Sequence, residues 1–229
     1  MFATRYAVAA ERAAGRDVLE IACGAGQGLG LLARRARRVV GADVTPALVR
    51  EARAHYRDRI PLLCADAMRL PFQAAFDVVV LFEAIYYLPD AGRFLDECRR
   101  LLRPGGDVLI CSANPEREDF NPSPHSVRYY SASELGALLR DRGFAPEIFG
   151  AFPAGGGGVG SALRRAAVKL NLMPKSMKGK ETLKRLFYGK LAEVGPELMP
   201  GGAPVESLVP LAAGAPAAGF KVIYAWGRS

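Results

Sequence analysis

Residues 17–30 read DVLEIACGAGQGLG. An apolar run of strand character ends in a turn crowded with glycines, and an apolar helical pattern, GLLARRARR, follows it. Two phosphate-binding readings fail on the residues themselves. A P-loop needs Lys-Ser or Lys-Thr behind its glycines to reach phosphate and metal, whereas Gly28 is followed by Leu29 and Gly30. The dinucleotide fingerprint G-x-G-x-x-G fails from Gly24, because position 29 is leucine. A loose match from Gly28 to Ala33 begins too late, inside the expected helix. What remains is a carboxylate inside the strand, Glu20, ahead of Ala22, Cys23, Gly24 and Gly26. Glycine lets backbone come close to a ligand, and the helix start beyond favours negative charge. A ligand carrying both a carboxylate and an ammonium suits this turn better than a pyrophosphate.

Outward from the turn, strand-like and helix-like segments alternate. Strands are expected at 17–23, 38–43, 60–66, 76–82, 106–112 and 145–152, with FKVIYAWGR (220–228) as a last strand. Between them, PALVREARAHY, GRFLDECRRLL and SASELGALLRDRG place apolar residues at helical spacing. Pro46 fits a first helical position behind Thr45, and Ser131 with Glu134 reads as a capping box. This alternation specifies an α/β fold, a doubly wound and mostly parallel sheet with helices on both faces. Ligands of such sheets bind at the carboxyl ends of the strands. Two further acids stand there: Asp43, beside Val44, and Asp66, beside Ala67. One acid at each of three successive strand ends argues for a shared site rather than three separate turn residues.

These segments resemble a known family. VLEIACGAGQG, VVGADVTPALV, CADAMRLPF, FDVVVLFEAIYYLPD and RRLLRPGGDVLI are similar, in order and spacing, to the successive motifs of class I S-adenosylmethionine-dependent methyltransferases. The resemblance implies a seven-stranded Rossmann-like sheet whose last strand, 220–228, is reversed. It also implies a cofactor, S-adenosylmethionine, whose amino-acid part lies along Glu20 to Gly26. Asp43 would then bind the ribose, Val44, Asp66 and Ala67 the adenine, and Phe82, Glu83 and Ala84 would face the methionine. TRYAVAAERA resembles the family's leading helix, so Arg5 or Tyr6 would reach the cofactor carboxylate.

On the acceptor side, two histidines are available. His55 falls on a helix with charge on most sides and reads as a surface residue. His125, in the irregular segment after the fifth strand, is the candidate base, with Tyr129 and Tyr130 positioning an acceptor. Some relatives that methylate quinone precursors carry Glu-His where this chain has Tyr86-Tyr87, a departure that argues against a metal. NPSPHSVRYYSASELGALLRDRGF and VKLNLMPKSMKGKETLKRLFYGKL are similar to bacterial methyltransferases of polysaccharide and secondary-metabolite pathways. The expected reaction is therefore methylation of a hydroxyl on a sugar or other small molecule. Methylation at nitrogen or carbon and non-catalytic cofactor binding stand as alternatives, ahead of RNA methylation and an NAD-dependent dehydrogenase.

Length and charge set the domain reading. At about 150 residues per domain, 229 residues form one large domain or one with an insertion. The sequence divides into a cofactor-binding core (1–152), a basic helical and loop insertion (153–219) and the last strand (220–229). The formal charge is +8. Between Ser161 and Lys190 nine Lys and Arg residues face Glu181 alone, so this window carries the whole excess. Helices are expected at SALRRAAVKLNL and ETLKRLFYGKL, and loop through GPELMPGGAPVESLVPLAAGAPAAG. The basic window suits an anionic small-molecule or glycan acceptor, or a peripheral contact with an anionic membrane. Nucleic acid ranks last, since Phe187 and Tyr188 are the window's only stacking pair. No apolar run approaches the roughly 20 residues of a membrane span. The first residues lack an apolar leader core. Four cysteines without metal-ligand spacing read as reduced thiols, which suits the cytoplasm.

Overall fold

A computed structural model describes residues 1–154, 195–201 and 204–229. The two basic helices expected in the insertion lie outside the described residues. In chain order the elements are α1 (Phe2–Arg12), β1 (Asp17–Ile21), α2 (Leu29–Ala33), β2 (Arg38–Asp43), α3 (Pro46–Tyr56), β3 (Leu62–Cys64) and β4 (Phe76–Phe82). After a short helical turn at Ile85–Tyr87 come α4 (Ala91–Leu101), β5 (Leu102–Ala113), α5 (Ala132–Asp141), β6 (Ala145–Pro153), β7 (Val209–Leu211) and β8 (Phe220–Arg228). No helix among the described residues is long and apolar enough to cross a membrane.

The strands form one sheet in the order β3-β2-β1-β4-β5-β8-β6-β7. The first five in that order run parallel, and β8 is antiparallel to both β5 and β6. The sheet therefore has eight strands where the sequence implied seven. The addition is β7, which pairs antiparallel with β6 at the sheet edge, inside a stretch expected to be loop. Three residues carrying Pro210 give no alternation to read, and an edge strand is where proline is tolerated.

Alternate residues of each buried strand feed two cores. Leu19, Ile21, Val79 and Leu81 pack with Phe94, Leu95 and Cys98 of α4 and Leu135 and Leu139 of α5. Val18, Val78 and Val80 pack with Ala9 of α1, Leu29 and Leu32 of α2 and Val49, Ala52 and Tyr56 of α3. Burial on both faces is why β1 and β4 read as continuous apolar runs rather than alternating ones. Local signals hold where expected. Ser131 and Glu134 form a complete capping box on α5, and Pro46 opens α3 behind Thr45, though the Thr45 hydroxyl makes no capping bond. β1 leads to β2 on one side and is flanked by β4 on the other. The chain thus reverses its winding at the β1–β4 boundary, and a crevice opens at their carboxyl ends.

Candidate active site

The crevice begins where β1 stops. Ala22 (φ 57°), Gly24 (φ 59°) and Gly26 (φ 78°) take left-handed backbone in quick succession. That conformation is open to glycine and strained for other residues. It ends β1 at Ile21, two residues before the run of apolar side chains suggested. The turn is held from two sides. On the sheet side Asp43, buried at the end of β2, accepts the Gly24 amide (2.8 Å) and the Thr45 amide (2.8 Å) through its two carboxylate oxygens. Behind it, the buried Tyr56 hydroxyl donates to the Gly26 carbonyl (2.7 Å) and accepts from the Gly30 amide (3.0 Å).

Tyr6, on α1, lies across the turn. A Cβ added at Gly28 would sit 1.9 Å from its ring, so only glycine permits this approach. The Tyr6 hydroxyl donates to Glu20 Oε1 at 2.6 Å, and its ring meets Phe82 edge-on at 5.1 Å. Glu20 is almost fully buried, and its second oxygen, Oε2, has no hydrogen-bond partner. Burial pushes its carboxyl up to about 8, with the nearby Asp43 adding to the rise and Tyr6 and Arg5 opposing it. Burial also drives the Tyr6 hydroxyl and the Cys23 thiol well upward, so both keep their protons.

At the end of β4, Glu83 is a second non-glycine residue with left-handed backbone (φ 53°). Its carboxylate accepts from Arg5 (3.2 Å) and from the Tyr86 hydroxyl (2.9 Å). Tyr86 stacks on Tyr129 with ring centroids 4.4 Å apart, and Phe120 meets Tyr129 edge-on at 4.7 Å. Tyr129 is thus tied to Glu83 through one intervening ring. His125 lies on the same segment but is exposed. Its backbone amide bonds Ser123, and no described side chain bonds its imidazole.

On the far side, Val44 keeps 68% of its surface exposed beyond β2. Asp66 is exposed and accepts from the Met68 amide at 2.9 Å, a turn bond that helps end β3 early; Ala67 beside it is buried. Tyr6, Glu20, the glycine turn, Asp43, Phe82 and Glu83 thus form one connected wall, with Val44 at its rim and Asp66 and Ala67 one strand further out. Sequence reasoning missed Tyr56, whose only signal was an aromatic on the buried stripe of α3. His55, expected at the surface from the charge around its helix, has a partner of its own. The structure shows it half-buried and bonded to Glu197 at 2.9 Å, a partner 142 positions away that helical charge patterning does not reveal.

Known proteins resemble this chain in sequence and in fold. Residues 19–110 match a family model described as a methyltransferase domain. A probable S-adenosylmethionine-dependent methyltransferase of Mycolicibacterium smegmatis is 42% identical over 149 residues, covering 62% of this chain and 57% of that protein. The core is similar, in sequence and in fold, to class I S-adenosylmethionine-dependent methyltransferase domains. A ubiquinone biosynthesis O-methyltransferase of Pseudomonas paraeruginosa is 30% identical over 154 residues, covering 57% of this chain and 65% of that protein. The solved structure of the YcgJ protein from Bacillus subtilis superposes with a TM-score of 0.63 at 18% identity, covering 98% of this chain and 97% of that one, a likeness of fold. The chain spans little more than half the length of the first curated relatives it matches.

The methyltransferase core fits its cofactor on its own geometry. S-adenosylmethionine carries an ammonium, and Glu20 Oε2 is a buried acceptor without a partner. It also carries two ribose hydroxyls. Both Asp43 oxygens already hold backbone amides, and each retains a lone pair for a further donor. The rim provides apolar surface for adenine at Val44.

Proposed function

We propose that this protein transfers the methyl group of S-adenosylmethionine to a hydroxyl of a small-molecule or sugar acceptor. One observation carries the acceptor reading: the Tyr86–Tyr129–Phe120 aromatic cluster stands against Glu83 at the end of β4, on the opposite side of the wall from Val44. Aromatic faces of this kind bind planar or sugar-ring acceptors and keep water out. The O-methyltransferase relationship from Pseudomonas paraeruginosa supports oxygen as the methylated atom. The basic window between Ser161 and Lys190 supports an acceptor bearing negative charge.

The cofactor supplies an activated methyl on a sulfonium, and the protein's contribution is alignment. Holding donor and acceptor in line accounts for about 7–11 kcal/mol of barrier in well-oriented systems. The chain provides this through rigid parts. Glu20 and Tyr6 fix the amino-acid end, Asp43 the ribose, and Glu83, locked by Arg5 and Tyr86, the wall nearest the acceptor. His125 is the proposed acceptor of the hydroxyl proton. Its test is His125→Ala, expected to lower turnover by roughly 10²-fold or more, in the range of general-base catalysis, while cofactor affinity is unchanged.

The function is tested by incubating the protein with methyl-labelled S-adenosylmethionine and extract of the source cells. The extract is then separated into small-molecule, glycan, lipid and RNA fractions. Label in the small-molecule or glycan fraction is expected. Label confined to RNA or lipid overturns the acceptor reading. Absence of label from every fraction, with cofactor binding established separately, favours non-catalytic binding.

A further inference from the structure

The stretch around Glu197 belongs to a segment expected to be plain loop, and nothing in the proposed chemistry uses it. Its placement is specific. The Leu198 amide donates to the Gln27 carbonyl at 2.6 Å, on the outer limb of the glycine turn. The Glu197 side chain lies against Gly30, where an added Cβ would stand 2.0 Å from Oε1. Its other oxygen, Oε2, accepts from His55 Nε2 (2.9 Å), in the last turn of α3, and from Arg59 (3.1 Å), in the turn that follows the helix. Only 14% of the Glu197 side chain is exposed. Burial opposes its ionisation, and the bonds from His55 and Arg59 outweigh that and hold its carboxyl below the ordinary range. Between His55 and Arg59, Tyr56 bonds both ends of the same turn, the Gly26 carbonyl and the Gly30 amide, with His55 edge-on to its ring and Arg59 over its face.

We propose that Glu197 is a positioning residue for the cofactor turn. With Leu198 it clasps the outer limb, Gln27 to Gly30, against the end of α3 and the turn after it, while Tyr56 spans the turn from Gly26 to Gly30 from beneath. The turn opens at Ala22, whose left-handed backbone goes against its local preference, so contacts from elsewhere in the fold must help hold it. A long-range clasp supplies the missing constraint. Gly30 fits this reading: it is the residue that leaves room for the carboxylate, inside a helix where alanine has the better intrinsic propensity. The inference rests on the reading that this turn holds S-adenosylmethionine.

The test has two readouts on the whole chain. Calorimetric titration of S-adenosylmethionine into Glu197→Ala and into Glu197→Gln is expected to show affinity weakened about tenfold, the range of one charge-assisted contact. His55→Ala in the Glu197→Ala background should add little, because the two act through one bond. Without cofactor, amide exchange from Gly26 to Gly30 should quicken in both Glu197 variants, while that of β4 is unchanged. If wild type binds the cofactor and the variants bind equally well with unchanged exchange, the clasp is overturned, even if the melting temperature falls. Wild-type protein that fails to bind S-adenosylmethionine overturns the functional reading beneath it instead.

Discussion

Asp43→Asn tests the placement of the cofactor site with the least disturbance of the fold. In the native protein both carboxylate oxygens accept backbone amides, from Gly24 and from Thr45, at 2.8 Å each. An amide keeps one oxygen acceptor and turns an NH2 toward the other backbone N–H. One bond to a charged acceptor is therefore lost, and a buried donor is left facing another donor. Bonds of that kind contribute about 1.5–3 kcal/mol, and a domain of this size loses about 2–4 °C of melting temperature per kcal/mol. A fall of about 3–12 °C is expected from the fold alone. The cofactor term is separate. A ribose hydroxyl bonded to a carboxylate loses a similar 1.5–3 kcal/mol, or about ten- to more than a hundredfold in affinity. Scanning calorimetry gives the first number, and titration of S-adenosylmethionine below the transition gives the second. A variant that melts lower but binds the cofactor as tightly as wild type would refute the ribose assignment and leave Asp43 as a brace for the turn.

Glu20 gives a pH signature. Its folded carboxyl titrates at about 8 against 4.5 ordinarily. Its contribution to stability is therefore full below 4.5 and is lost as the pH rises from there through 8, because the folded state then holds a proton the unfolded state has released. Glu20→Gln should accordingly be more stable than wild type at pH 8.5, measured by urea titration, and the advantage should vanish at pH 4. Docking an ammonium on Oε2 should ionise Glu20, so binding S-adenosylmethionine at pH 7 should release close to one proton. Heats of binding that do not vary with buffer ionisation enthalpy would count against that contact. Gly28→Ala must push Tyr6 aside and break its bond to Glu20, with an expected loss of about 1–3 kcal/mol of stability and weakened cofactor binding. Unchanged fluorescence of Tyr6 in that variant, with native affinity, would contradict the close approach.

Legibility from sequence followed how local each cause is. β2, β4 and β8 match their expected limits residue for residue, since each is an apolar run closed by a turn or a charged residue. β3 contracts from 60–66 to Leu62–Cys64, because Asp66 spends its carboxylate on a turn and only three residues align with β2. The acids at strand ends were readable because each follows a strong strand signal, and two of them, Glu20 and Asp43, join a single wall. The supports behind that wall were not. Tyr56, His55 and Glu197 meet the glycine turn only after α3 and the segment after residue 194 fold onto it, and no spacing in the chain encodes that meeting. β7 escaped for a related reason: its pairing is created by β6, not by its own three residues.

The place of β8 in the sheet sets an order of assembly. It is the last strand in the sequence, yet it lies between β5 and β6, which share no ladder of their own. During synthesis β6 and β7 exist before the strand that joins them to the rest. Until β8 inserts, β5 and β6 each present an open hydrogen-bonding edge, the kind of surface through which growing chains associate wrongly. Insertion closes both edges at once, with seven paired positions on the β5 side and eight on the β6 side. Changes in the middle of β8, around Ile223 to Trp226, should therefore depress yield of soluble protein well before they alter the chemistry at the other end of the sheet.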